Sequence, residues 1–134
     1  MTNLQVVEND LRFIKLIFPP QLNSSWNGNL YIGTDPGDPN DPYNVFANWN
    51  YYYENCDTTV TIGSQTYNNC IVVSEANNVF ITSKIVRTEI YAPNVGMIYQ
   101  EWESLQNNQN LTLGWDTGAT SGFSIHMWAT GYTP

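Results

Sequence analysis

The segment from Glu89 to Trp102, EIYAPNVGMIYQEW, constrains the fold more than any other, because it sets a strand-like run, a Pro93-Asn94 break and a second strand-like run in immediate succession. NWNYYYENCDTTVTIGSQTYNNCIVV, Asn48 to Val73, precedes it and repeats the pattern. Aromatic and β-branched residues favour the pleated, half-buried surface of a sheet. Alternation of apolar and polar residues gives such a strand one buried face. Short turns between alternating runs join neighbouring antiparallel strands and leave no room for the helical crossovers of a parallel sheet. The expectation is a mainly β protein, a single antiparallel meander of about eight strands curved into an open sheet, half-barrel or barrel.

The strands are read as Val45 to Glu54, Thr59 to Ile62, Thr66 to Ser74, Val79 to Tyr91, Val95 to Leu105, Leu111 to Trp115 and Phe123 to Tyr132, with Leu30 to Ile32 beginning a short one. Gly63-Ser64 makes a two-residue turn, Glu75 to Asn78 another, and Asn107 to Asn110 a polar one. Residues 34–44 hold three Pro and one Gly and form an exposed loop. The start of the chain, 1–20, reads two ways. Val7, Leu11, Ile14 and Phe18 have helical spacing with Thr2 and Gln5 as a capping box, while Phe13 to Phe18 equally fits an edge strand; Pro19-Pro20 ends either.

A chain of 134 residues is sized for one hydrophobic core, so 1–134 is read as a single domain. Only 12 % of residues are charged, about half the usual share, which leaves the surface to uncharged polar groups. The net charge of −8 and pI near 4.1 repel phosphate backbones and argue against nucleic acid. No apolar run reaches the roughly 18 residues of a membrane-spanning helix, and Lys15 interrupts the longest candidate.

Cys56 and Cys70 flank the Gly63-Ser64 turn. That turn pairs Val60 with Tyr67 and leaves Cys56 opposite Ile71, one position from Cys70. An extra residue near Asp57 to Thr59 would bring the two cysteines opposite each other, and the expectation is a disulfide; the alternative is two small buried thiols.

Several motifs carry candidate chemistry. Asp35, Asp38 and Asp41 stand three residues apart in one flexible loop and offer a Ca²⁺ site, although each precedes a proline and fits turn-making equally well. Trp26, Trp49, Tyr51 and Tyr53 are the candidate ligand-binding residues, as stacking platforms or as the lining of an apolar pocket. Asp116-Thr117-Gly118-Ala119 has the aspartic-protease signature without the chain that follows it in such enzymes. Glu101 and Glu103 share one strand face, with Glu54 and Glu75 isolated. His126, the single histidine, has no partner at zinc-ligand spacing. No catalytic residue and no cofactor beyond that Ca²⁺ is assigned.

Ile17 to Trp26 (IFPPQLNSSW), Asn48 to Val73, and Tyr91 to Glu103 (YAPNVGMIYQEWE) resemble elements of secreted Bacteroidota proteins, often lipoproteins, of undefined function. The last, with Tyr91-Ala92, Val95-Gly96, Ile98-Tyr99 and Glu101, is the most specific; in the first, Asn23-Ser24-Ser25 replaces the usual Gly-Asn. The resemblance implies a curved antiparallel sheet at the cell envelope or outside the cell and carries no catalytic residues. The N-terminus shows no charged region followed by an apolar core and a cleavage site, so a secreted chain is read as a mature form, and the missing lipobox cysteine departs from the membrane-anchored pattern. Together these readings lead to a non-catalytic binding or assembly domain for a protein, glycan or apolar partner. The alternatives are a half-barrel carrier of a lipid-like ligand and a small glycan-binding or glycan-degrading module. A carrier requires a large apolar cavity, a glycan binder coplanar exposed aromatics, and an enzyme two carboxylates facing across a groove.

Overall fold

The computed structural model describes residues 2–80, 83–106 and 121–131. It consists of β1 (Thr2–Glu8), β2 (Leu11–Phe18), β3 (Ser25–Trp26), a 3₁₀ turn (Pro42–Phe46), β4 (Tyr51–Ile62), β5 (Gln65–Val79), β6 (Ser83–Ala92), β7 (Gly96–Gln106) and β8 (Ser121–Trp128). Strands β3 to β8 form one six-stranded antiparallel meander in sequence order, and β1 and β2 form a separate two-stranded sheet. The large sheet is curved and not closed into a barrel. The expected strand Leu111 to Trp115, the polar turn Asn107 to Asn110 and the Asp116 motif lie outside the described residues.

Of the two readings of 1–20 the strand is the one found, as the second arm of a hairpin, and the helix is not formed. Asn9 and Asp10 both take positive φ, 50° and 65°, the backbone of a tight two-residue hairpin turn that Asn and Asp tolerate. β2 is apolar on both sides, and Phe13 to Ile17 are all buried. A strand covered on both faces loses its alternation, which is why LRFIKLIF also fits helical spacing. β2 lies against the face of the large sheet that carries Tyr51, Tyr53, Val73 and Ala76, and these form one core with Ile14, Leu16, Ile17 and Trp49.

The Gly63-Ser64 turn pairs Ile62 with Gln65 and Val60 with Tyr67, as expected. Beyond it the register shifts repeatedly. Asn69, at φ 55°, is an extra residue on β5 and sets Thr58 opposite Cys70; an extra residue on β4 then restores Asn55 to Val72. The extra residue that a disulfide would need on β4 is thus cancelled by the one at Asn69 on β5, and Cys56 does not come opposite Cys70. Cys56 and Cys70 are both free thiols. Cys70 is buried with Tyr67, Ala92 and Ile98, whereas Cys56 packs against the other core.

Three further expectations are corrected. Leu30 to Ile32 lie in turns, where Ile32 N donates to Asn29 O at 2.9 Å, rather than in a strand. Val45 and Phe46 belong to the 3₁₀ turn, so β4 begins only at Tyr51. Glu75 to Asn78 do not turn; β5 runs through them to Val79. Between Ser74, opposite Thr88, and Ala76, opposite Arg87, Glu75 is the extra residue of a β-bulge, which turns its side chain inward.

Candidate functional site: an apolar cleft beside a buried charge cluster

Ala92 to Gly96 close the β6–β7 hairpin through a turn in which Val95 N donates to Ala92 O at 3.2 Å, with Pro93 and Asn94 at its centre and Asn94 at φ 62°. Pro presets the first central torsion and Asn accepts the left-handed second. Gly96 then takes φ 105°, a conformation that side-chain-bearing residues rarely adopt. Nothing lies within 4 Å of where its Cβ would stand, so backbone torsion and not close approach explains the glycine.

This turn stands across from the open end of the N-terminal hairpin. Between them is a cleft of about 630 Å³, walled by Leu16 and Phe18 of β2, Cys56 of β4, Ile71 of β5, Tyr91 of β6 and Met97 of β7. The mouth is marked by exposed apolar side chains, with Leu4, Phe18 and Met97 at 40 %, 38 % and 44 % exposure. Burial pushes the Cys56 thiol above its usual range, so it stays protonated.

Tyr91 also belongs to a second feature. Its hydroxyl donates to Glu89 Oε1 at 2.7 Å. Gln100 Nε2 donates to Glu89 Oε2 at 2.8 Å, and Lys15 Nζ of β2 lies 3.2 Å from the same oxygen and 3.4 Å from Glu75 Oε2. Arg87 Nε approaches Glu75 Oε1 at 2.9 Å without pointing its N–H along a hydrogen bond, so that contact is an ion pair only. Glu8 joins at the edge, 3.5 Å from Arg87 Nη2 and 4.0 Å from Lys15 Nζ. The Arg87 guanidinium also stacks over the Trp102 ring, 4.6 Å from its centroid.

The electrostatics split the two inner carboxyls. Burial, followed by the charge of Glu89, pushes Glu75 up to about 8, and Lys15 and Arg87 only partly offset this. Burial would raise Glu89 as well, but Lys15 and the hydrogen bonds from Glu75 and Tyr91 hold it below the usual carboxylate range. Glu75 is thus the carboxyl that keeps a proton at neutral pH. Glu8 and Glu89 then balance Lys15 and Arg87, and the cluster is neutral as a whole. Burial would lower Arg87, but the surrounding Glu75, Glu89 and Glu8 raise it. Glu75, Glu89, Lys15 and Arg87 are at most 2 % exposed, so no substrate reaches these carboxyls in this conformation. The cluster joins β2 to the sheet.

The aromatic candidates are interior groups. Trp49, Tyr51 and Tyr53 are buried and Trp26 packs against them at the edge of the same core. Their polar atoms are taken: Trp26 Nε1 donates to Ile14 O at 2.8 Å, Trp49 Nε1 to Val45 O at 2.8 Å, and the Tyr51 hydroxyl to Asn29 Oδ1 at 2.7 Å. Tyr53 donates its hydroxyl to Ile17 O and accepts from Ile17 N, bridging the two sheets.

The Asp loop spends its carboxylates on its own backbone. Asp35 and Asp38 accept from Gly37 N and Asn40 N, and Asp41 accepts from Asp35 N and Tyr43 N, capping the 3₁₀ turn. The three do not converge on a common point. Among the described residues the acidic group that does converge is Glu101, Glu103 and His126, with one ligand atom each within 4.8 Å of the others. There Glu103 pairs with Lys84 at 2.9 Å, and the His126 ring bonds Tyr99 and Ser124.

No known protein family, curated protein or solved structure matches the chain. No helix of the described residues is long and apolar enough to cross a membrane.

Sequence reading passed over the charge cluster because its members are distant in the chain. Lys15 was the available signal, since a lysine in the middle of LRFIKLIF must find buried partners once both strand faces are covered.

Proposed function

We propose that the protein binds a small apolar ligand in the cleft between the N-terminal hairpin and the 92–97 turn, and acts by binding rather than by catalysis. The observation that carries this reading is the cleft itself. Its volume of about 630 Å³ lies within the roughly 300–1,000 Å³ typical of small-molecule sites. Its walls are mostly aliphatic and aromatic, and contiguous exposed apolar surface on a small domain is a mark of a binding site. Of the sequence alternatives, the carrier is the one whose stated requirement is a large apolar cavity. The glycan reading loses its candidate platforms to the core, because Trp49, Tyr51 and Tyr53 are at 6 %, 0 % and 0 % exposure. An extracellular or envelope setting remains part of the proposal. It rests on the sparse charge and the family resemblance, to which the two free cysteines add nothing.

The test is titration with N-phenyl-1-naphthylamine, a neutral apolar dye that brightens on leaving water. The expected result is saturable enhancement at one site per chain, weakened about tenfold or more by Ile71→Trp, which fills the cleft. Thermal unfolding of the variant is measured alongside, so that a folding defect is recognised. Absence of saturable binding to the folded wild type overturns the proposal.

A further inference from the structure

We infer that the ligand of the cleft is uncharged: an alcohol, ester, amide or hydrocarbon of lipid-like size, and not a fatty acid, an anionic lipid headgroup or an amine. This rests on the binding reading above and goes on to name the ligand class.

The chain has only four basic side chains, and all four are placed. Lys15 and Arg87 are enclosed in the cluster with Glu8, Glu75 and Glu89. Lys84 pairs with Glu103 at 2.9 Å, and Arg12 stacks over the Tyr31 ring at 5.4 Å. None of them lines the cleft. A carboxylate or phosphate drawn into it would lose its water and meet no counter-charge among the described residues. The rim makes this worse. Asn69, on the cleft wall, donates to Asp57 Oδ1 at 2.8 Å, which fixes a carboxylate just outside, on a protein of net charge −8.

A cation fares no better inside. Among the described residues the lining holds no carboxylate. Its ionisable groups, Cys56 and Tyr91, are kept in their protonated neutral forms by burial, and the Tyr91 hydroxyl already donates to Glu89. What the walls offer a polar end is amide chemistry, from Asn94 and the backbone of the 92–96 turn. That suits a single hydroxyl or carbonyl at one end of an apolar body.

The experiment displaces the bound dye at neutral pH with four probes of equal chain length: a long-chain alcohol, a methyl ester, the corresponding fatty acid and an alkyltrimethylammonium. The alcohol and ester are expected to compete about tenfold or more better than the acid and the ammonium. An acid or ammonium that competes as well as the alcohol overturns the inference while leaving the binding reading intact. Dye binding that none of the four probes displaces overturns the lipid-like class. Failure of the dye itself to bind removes the binding reading and this inference with it. A second variant, Met97→Lys, places a cation at the mouth; the ratio of acid to alcohol affinity is expected to rise about fivefold or more. An unchanged ratio shows that no charge is discriminated at this cleft and overturns the inference.

Discussion

Lys15 Nζ of the N-terminal hairpin lies 3.2 Å from Glu89 Oε2 of the large sheet, a contact between groups 74 residues apart that are both about 1 % exposed. Around it Arg87, Glu75, Gln100 and Tyr91 complete a buried network. Leu16, next to Lys15, walls the apolar cleft, and so does Tyr91, which holds Glu89 from the other side. The charge cluster and the cleft therefore share a wall, with Tyr91 belonging to both.

Removing one partner of a buried ion pair leaves the other uncompensated, a loss of about 3–5 kcal/mol. Lys15→Ala is expected to destabilise by that order in urea unfolding. Adding Glu89→Gln should recover part of the loss, because the stranded charge is gone. If Lys15→Ala costs under about 1 kcal/mol, as exposed pairs do, the network is not seated as described.

The raised Glu75 sets a pH dependence. In the folded chain it titrates at about 8 in place of 4.5, so folding takes up a proton between those values. Stability from this group is complete below pH 4.5, falls as pH rises, and levels off above about 8. Glu89 acts at the other end: held low, it contributes above the usual carboxylate range and loses that contribution as the solution becomes more acidic. Glu75→Gln keeps a neutral side chain of the same size and abolishes the alkaline decline. Melting curves from pH 5 to 9 should therefore show the variant gaining on the wild type as pH rises, by an amount on the order of a few kcal/mol at the alkaline end. Parallel curves would rule out a protonated Glu75.

Two glycines separate torsional strain from steric exclusion. Gly96 has room but sits at φ 105°, so Gly96→Val should cost about 1–3 kcal/mol through backbone strain. At Gly28 a Cβ would stand 2.3 Å from the buried Tyr51 ring, whose hydroxyl is fixed on Asn29. Gly28→Ala should cost about as much through overpacking, and Tyr51→Phe or Tyr51→Leu in the same chain should relieve it only if the ring is able to move or shrink. Urea unfolding of the single and double variants measures both effects.

The meander was legible because its signals are local. Alternation on Thr59 to Ile62, the Gly63-Ser64 turn and the Pro93-Asn94-Val95-Gly96 sequence each encode their own geometry, and the pairing of Val60 with Tyr67 follows from turn length. What escaped depends on contacts across the molecule. Phe13 to Phe18 fits strand and helix alike, because Lys15 is an extra residue between Ile14, opposite Gln5, and Leu16, opposite Leu4, and breaks the strand period. Glu75-Ala76-Asn77-Asn78 reads as a turn by propensity, and its strand conformation is imposed by neighbouring β6 and by Lys15 60 residues away. The aromatic candidates were found as a group, but alternation alone does not say that Tyr51 and Tyr53 face a second sheet and not solvent.

Cys56 provides an independent report on the cleft. It is part of the wall and half-buried, whereas Cys70 is fully buried in the other core, so alkylating agents should reach Cys56 first. Its thiol is held above the usual range by burial, which makes the reaction slow at neutral pH and faster as the solution is made alkaline. Iodoacetamide labelling followed by peptide mass analysis is expected to modify Cys56 well before Cys70, and saturating dye should slow Cys56 several-fold by covering it. Reductant should leave the melting temperature unchanged, since no bond joins the two sulfurs. Dye that binds without protecting Cys56 would place the ligand elsewhere on the protein, and a reductant-sensitive melt would mean that Thr58 does not stand where the bulge at Asn69 puts it, opposite Cys70.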